Sequence, residues 1–188
     1  MKKKPSPETQ LRQMKRECKA TRVQSIVRPL VGLRMTNTNR PIEVIRNWRD
    51  NGMLMLSPPY QRGDVWGAKR RVNLIRSILL GVPIPSIVVN DRIRGEWGDD
   101  DLHYAVIDGK QRCTTILMFL DDQLSIPGGW MEIDSDEVLF SELPVPKQRR
   151  FKNQAIGFCE GSLRTLEAEQ EVFELINFGG VAQGETDQ

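Results

Sequence analysis

One stretch of this chain, residues 102–122, carries two hydrophobic patterns that together decide its class of fold. Residues 102–108 (LHYAVID) form a short apolar run typical of a buried strand, and residues 110–122 (KQRCTTILMFLDD) continue as an apolar helical pattern. Asp108 and Gly109 join the two, so the predicted strand enters the predicted helix through a very short turn. A strand that leads directly into a helix favours a mixed architecture of helices packed on a sheet.

The rest of the chain repeats this alternation and predicts an α+β fold. The predicted strands are residues 53–56, 86–90, 102–108 and 155–161, and the predicted helices are residues 8–20, 42–51, 68–81, 110–122, 145–154 and 166–177. Residues 37–39 (Asn-Thr-Asn) are predicted as a turn, and Pro41 as part of the first turn of the next helix. Thr165 is the predicted N-cap of the last helix.

Charge divides the chain into a basic arm and a mildly acidic body. The net charge is +2, yet residues 1–34 hold ten lysines and arginines against two glutamates. We therefore expect a partly helical basic arm at residues 1–34 and a single domain at residues 35–188. The arm predicts contact with a polyanion such as DNA, through side chains that include Lys15, Arg16, Lys19 and Arg22. The alternative is a solvated leader without a ligand.

Other features exclude several classes of protein. No apolar run approaches the roughly 20 residues of a membrane helix, and the N-terminus lacks the apolar stretch of a signal peptide, so we expect a cytoplasmic protein without a membrane partner. The three cysteines are scattered and form neither a disulfide framework nor a zinc-ligand pattern. Because His103 is the single histidine, the sequence also argues against a histidine-based triad.

The start of the helix after Gly109 breaks a rule of helix chemistry. Lys110 and Arg112 lie in its first turn, where the positive end of the helix dipole disfavours cations. A bound phosphate would reverse this penalty, since backbone amides and both cations would then face an anion. Asp108 could hold a Mg²⁺ that bridges phosphates, and Gln111 could orient a water. The alternative is a capped helix, with Asp108 as N-cap and both cations facing solvent.

Three further motifs remain open at this stage. Residues 58–66 (PPYQRGDVW) place Gln61 and Arg62 in a loop whose two aromatic residues either stack on a base or close the core. Asn177 lies at a helix end before two glycines, as either a site residue or an ordinary C-cap. A basic cluster at residues 147–152 either contacts nucleic acid or forms a solvated face.

Taken in order, these motifs resemble a known family. The segments PPYQRGDVW, LIRSILLGVPIPSIVV, YAVIDGKQRCTTI and VFELINFGG are similar to the N-terminal, DGQQR-motif domain of GmrSD-type modification-dependent restriction proteins. The resemblance spans roughly residues 42–180. It implies a ParB/sulfiredoxin-like mixed core with flanking helices. It also implies nucleoside triphosphate binding and, in some members, Mg²⁺-dependent hydrolysis coupled to DNA restriction.

The resemblance also implies roles for individual residues. The family motif falls on residues 108–112, with Asp108, Gln111 and Arg112 as catalytic residues and Asp108 as the metal ligand. The implied nucleotide contacts are Gln61, Arg62, Gly109, Lys110, Arg112, Thr114 and Asn177. Lys110 replaces the first glutamine of the motif, which preserves phosphate affinity and puts catalysis in doubt. Cys113 follows Arg112 without an adjacent histidine, which argues against sulfiredoxin chemistry.

Three hypotheses about function follow. The first is a nucleotide-binding, NTP-hydrolysing relative of restriction and phage-defence proteins that also contacts DNA. The second is a DNA-binding module without turnover. The third is a phage or host interaction protein, an inhibitor that blocks a host partner or a protein that pairs with a separate effector. A protein partner or a homodimer is a further expectation. The brevity of the chain and its single histidine predict that it does not cut DNA by itself.

Overall fold

A five-stranded mixed sheet organises the described part of the chain. The structure is a computed structural model that describes residue 33 and residues 35–178, apart from residues 62, 64, 95, 96 and 99–102. The strands of this sheet are β1 (Thr36–Pro41), β2 (Leu54–Met55), β3 (Ile87–Asp91), β4 (Tyr104–Asp108) and β7 (Ala155–Gly161), in the spatial order β1-β7-β3-β4-β2. A separate antiparallel pair joins β5 (Ile126–Pro127) to β6 (Glu137–Val138).

Antiparallel and parallel pairs alternate across the sheet, and this mixed sheet with its helices confirms the predicted α+β class. β1 pairs with β7 and β3 pairs with β4 in antiparallel fashion, whereas β7 with β3 and β4 with β2 are parallel pairs. All five residues of β3 are buried, as expected for the middle strand of the sheet.

Five α-helices accompany the sheet in the described residues. They are α1 (Glu43–Asp50), α2 (Ala68–Leu79), α3 (Lys110–Leu120), α4 (Val145–Lys152) and α5 (Leu166–Phe178). α3 buries six of its eleven residues, including Cys113, Ile116 and Phe119, so it is enclosed on most sides. Each fully buried side chain of this size contributes roughly 1.5–3 kcal/mol, which anchors the helix whose first turn carries the sequence motif. None of the described helices is long and apolar enough to cross a bilayer.

The predicted turn at residues 37–39 is wrong, because these residues belong to β1. The Thr38 hydroxyl donates to Glu160 Oε1 at 2.9 Å, and Arg40 Nη2 donates to Glu160 Oε2 at 2.7 Å, both across the β1–β7 pair. This distant pairing outweighs the local turn preference of Asn-Thr-Asn. Pro41 ends β1 and does not enter the helix, a position that an edge strand tolerates.

The other predicted elements within the described residues are confirmed, with ends shifted by a few residues. Thr165 caps α5 as predicted, because its hydroxyl accepts a hydrogen bond from the Ala168 amide at 3.2 Å. The predicted helix at residues 8–20 lies outside the described residues.

Candidate functional site

A cleft of about 370 Å³ opens where β4 passes into α3. It brings together the loop before α2, the β4–α3 turn and the face of α5, which are the three motifs that the sequence set apart. The described residues that line it are Gln61, Gly63, Val65, Trp66, Arg70, Ile107, Asp108, Gly109, Lys110, Gln111, Arg112, Phe173 and Asn177. Its volume lies within the roughly 300–1,000 Å³ typical of small-molecule sites.

Gly109 makes the turn between β4 and α3. Its φ of +98° is in the left-handed region that glycine adopts without strain. A Cβ at this position would lie 3.2 Å from Ile87 Cγ1 and 3.2 Å from Arg112 Nη2, so the turn also lacks room for a side chain. Gly109 is the N-cap of α3 and no side chain caps the helix. The alternative in which Asp108 caps this helix is therefore wrong.

Asp108 instead pairs with Arg112 one helical turn later. Arg112 Nη2 donates to Asp108 Oδ2 at 2.8 Å and to the Ser86 carbonyl oxygen at 3.2 Å. The Arg112 side chain is only 12% exposed, so it does not face solvent as the alternative required. Its Nε is buried without a hydrogen-bond partner. These contacts make Arg112 a residue that fixes the geometry of the turn.

Gln111 holds the loop before α2 in place. Its Oε1 accepts from the amides of Trp66 at 3.3 Å and Val65 at 3.4 Å, and its Nε2 donates to the Gly63 carbonyl oxygen at 3.3 Å. All three bonds are long, so each is weak. Because both ends of the amide contact the loop, Gln111 would have to release it before orienting a water.

Gln61 takes the place of a strand neighbour beside β4. β2 pairs with β4 only as far as Ala105, which leaves the following carbonyl groups of β4 without a strand on that side. Gln61 Nε2 donates to the Ile107 carbonyl oxygen at 2.8 Å and also to that of Val106. One side-chain amide at the wall of the cleft thus satisfies backbone carbonyl groups that a neighbouring strand would otherwise pair with.

Arg70 is a cation of the cleft that the sequence reasoning missed. Its guanidinium lies 4.6 Å from the centroid of the Trp66 ring, a distance at which cation–π attraction is effective. Arg70 belongs to the first turn of α2, which carries no acidic residue. The rule that singled out Lys110 and Arg112, cations at a helix start, would therefore have found Arg70 as well.

The remaining predicted site residues differ in their placement. Asn177 lines the cleft, and its side-chain amide donates to the Phe173 carbonyl oxygen within α5 at 2.8 Å. Thr114 lies on α3 but is not part of the cleft lining. Arg62 and the arm residues Lys15, Arg16, Lys19 and Arg22 lie outside the described residues.

Comparison with known proteins identifies the family. The model of the GmrSD restriction endonuclease N-terminal domain matches residues 42–187, which include every described residue of the cleft. The chain belongs to the GmrSD N-terminal domain family. No curated protein matches the chain.

A solved structure also resembles this GmrSD N-terminal domain. It is the crystal structure of the C-terminally truncated chromosome-partitioning protein ParB from Caulobacter crescentus complexed with CTP-gamma-S. The two chains share 14% sequence identity over 79% of this chain and 56% of that chain, with a TM-score of 0.42. A similarity of this size carries no inference about a ligand.

A buried polar network in the GmrSD N-terminal domain fixes α5 against the sheet. The carboxylate of Glu169 is fully buried, and Arg92 donates to it twice, at 2.7 and 2.8 Å. Asn90 Nδ2 donates to Glu169 Oε1 at 2.7 Å, and the Tyr60 hydroxyl donates to Oε2 at 3.1 Å. Burial and the nearby carboxylate raise the pKa of Tyr60 well above its ordinary value, so its hydroxyl remains protonated.

This network joins two walls of the cleft. Tyr60 directly precedes Gln61, and Glu169 lies one helical turn before Phe173. The rings of Tyr60 and Phe173 also pack together, with centroids 5.4 Å apart. Local sequence gave no sign of the network because Tyr60, the neighbouring pair Asn90 and Arg92, and Glu169 come from three distant parts of the chain and meet only in the folded protein.

Among the described residues that line the cleft, Asp108 is the one candidate ligand for a divalent metal. The Asp108 carboxylate is about one third exposed, and one of its oxygens accepts from Arg112. No cluster of three or more histidine, cysteine or acidic side chains suited to a metal ion occurs within the described ranges. A single carboxylate suits Mg²⁺ that is coordinated jointly by Asp108 and by the phosphates of a bound ligand.

The thiol of Cys113 is expected to be inert in the native protein. It is 1% exposed, and burial raises its pKa to about 12, so almost none of it is thiolate at pH 8. Iodoacetamide at pH 8, followed by peptide mapping, should leave Cys113 unmodified in native protein and modify it after denaturation. Rapid labelling of Cys113 in native protein would contradict the structure.

Proposed function

We propose that this GmrSD N-terminal domain binds a nucleoside triphosphate in the cleft, with the phosphates against the start of α3. One observation carries the proposal. Three cationic side chains, Arg70, Lys110 and Arg112, and a single carboxylate, Asp108, are among the described residues that line the cleft, at the start of a helix that begins after Gly109. Such a helix start offers backbone amides to an anion, and the cations offset the charge of the phosphates.

The walls of the cleft favour a nucleotide over a simple inorganic anion. Trp66 and Phe173 present aromatic surface, and Gln61 and Asn177 present amide groups, beside the cationic start of α3. A ligand with both a flat apolar ring and an anionic tail uses both parts of such a cleft. A Mg²⁺ bound with the phosphates would be held by Asp108 and would neutralise part of their charge.

The contacts support binding more directly than hydrolysis. Gln111, the predicted residue for orienting a water, contacts the loop backbone with both ends of its amide. Asp108 is engaged by Arg112. A nucleotide-gated switch therefore requires no rearrangement of these two residues, whereas hydrolysis requires Gln111 to move.

Thermal unfolding tests this function with each of ATP, GTP, CTP and UTP, with and without Mg²⁺. A ligand at about a hundred times its Kd should raise Tm by roughly 5–10 °C for a domain of this size. Phosphate release measured on the same samples separates a hydrolase from a switch. Unchanged Tm with all four nucleotides would contradict the proposal.

A second function, contact with DNA through the basic arm, is favoured by the charge of residues 1–34. Replacing Lys15, Arg16, Lys19 and Arg22 with alanine should weaken duplex DNA binding at low salt. The slope of log affinity against log salt concentration should become less steep by about 3 to 4, since four phosphate contacts are lost. Fluorescence anisotropy with a labelled duplex measures both quantities, and an unchanged slope would rule out these four residues as DNA contacts.

A further inference from the structure

A second groove, of about 210 Å³, shares none of its described lining residues with the cleft at the start of α3. Ile78, Met131 and Phe151 form its apolar floor, Trp130 forms a wall, and Lys147 and Arg150 form its rim. We refer to it as the Trp130 groove. None of its described lining residues is acidic, although the body of the chain is acidic as a whole.

Trp130 is carried by a tightly packed backbone turn at this groove. It lies in a 3-10 turn, Gly128–Met131, and keeps 37% of its surface exposed. A Cβ at Gly128 would lie 2.1 Å from the Ser135 carbonyl oxygen, so the turn packs tightly on the following segment. Lys147 Nζ donates to the Met131 carbonyl oxygen at 2.6 Å and ties the turn to α4. An exposed aromatic ring on a fixed turn is a suitable stacking surface.

One cation lies close to this ring, and others lie on the neighbouring helix α4. The Arg76 guanidinium lies 5.5 Å from the centroid of Trp130, and the last turn of α4 carries Arg149, Arg150 and Lys152. Lys147 is 3.9 Å from Glu132 and Lys152 is 3.4 Å from Glu43, so these two lysines are partly neutralised. Arg149 and Arg150 are exposed. The dipole of α4 explains why cations suit its last turn, but it explains neither the exposed tryptophan nor the apolar groove beside it.

We propose that the Trp130 groove binds single-stranded nucleic acid. One base stacks on Trp130 above the apolar floor, and the flanking phosphates pair with Arg149 and Arg150. Stacking platforms bordered by cations are the common device for binding single strands without sequence preference. An acidic peptide would match the charges, but it offers no flat ring to Trp130. This inference does not depend on nucleotide binding in the first cleft.

Fluorescence anisotropy with a labelled oligothymidine of about 12 nucleotides tests the proposal on the full chain. Trp130→Ala should weaken binding by between about fivefold and a hundredfold, as expected for the loss of one base stack. Trp130→Phe should recover much of that loss. Arg150→Glu should weaken binding and flatten its salt dependence. Lys69→Glu is the matched control, because it makes the same charge change at the other end of α2 from Arg76.

Several results would overturn the proposal. The first is the absence of oligothymidine binding by the wild-type chain. The second is that Trp130→Ala and Arg150→Glu both bind oligothymidine with the affinity of the wild type. If Trp130→Ala fails to give a cooperative thermal transition, Arg150→Glu against Lys69→Glu decides the matter alone. Polyglutamate that binds the wild type but not Arg150→Glu, together with no binding of oligothymidine by the wild type, would identify an acidic peptide as the occupant instead.

Discussion

Replacing Lys110 with glutamate should abolish measurable binding of the nucleoside triphosphate. The substitution removes a cation from the first turn of α3 and places a carboxylate beside Asp108, in the cleft where the phosphates are proposed to lie. Loss of one charge-assisted hydrogen bond costs about 1.5–3 kcal/mol, which is about a tenfold to a hundredfold loss of affinity, and repulsion adds to it. Calorimetric titration of the variant with the tightest nucleotide measures the effect.

Lys69→Glu is the control for this prediction. Lys69 is exposed at the start of α2, does not line the cleft and undergoes the same change of charge. It should bind the nucleotide like the wild type. Equal affinity of Lys110→Glu and wild type would place the phosphates elsewhere and remove the explanation for a lysine at this helix start.

Replacing Glu169 with alanine should be among the most destabilising single changes in the chain. It leaves the buried guanidinium of Arg92 without the carboxylate that it contacts at 2.7 and 2.8 Å. Breaking a buried ion pair by removing one partner typically costs about 3–5 kcal/mol, which is a large share of the stability of a single domain. Denaturant unfolding of the variant and the wild type measures the loss.

A milder variant tests a single hydrogen bond of the network. Tyr60→Phe removes one hydrogen bond to Glu169 and keeps the ring packed on Phe173, so it should cost about 1 kcal/mol. If the free energy of unfolding of Glu169→Ala is within about 1 kcal/mol of that of the wild type, the buried pair does not anchor α5.

Elements with a strong local pattern were predictable from sequence. The apolar run of β3 and the apolar helical pattern of α3 are sufficient to predict these two elements from their own residues. The short turn at Gly109 follows from the backbone freedom of glycine. β1 was not predictable in this way. Its residues favour a turn locally, and they form a strand only because β7, more than a hundred residues later, supplies Glu160 and the pairing backbone.

The candidate site shows the same division. The motif around Asp108 was visible because two cations break the expected pattern of a helix start. The role of Gln111 was not visible, because its contacts are with the backbone of a loop that precedes it by more than forty residues. Glu169 looked like an ordinary acidic residue in the first turn of a helix, and only the fold shows that it is buried against Arg92.

Isothermal titration calorimetry of the full chain with ATP, GTP, CTP and UTP, in the presence of Mg²⁺, is the decisive measurement for nucleotide binding in the cleft. We expect saturable binding of at least one of them at one site per chain. The matching nucleoside should bind much more weakly, because the phosphates are proposed to supply most of the contacts at the start of α3. No heat of binding with any of the four nucleotides would contradict it, and so would a nucleoside that binds as tightly as its triphosphate.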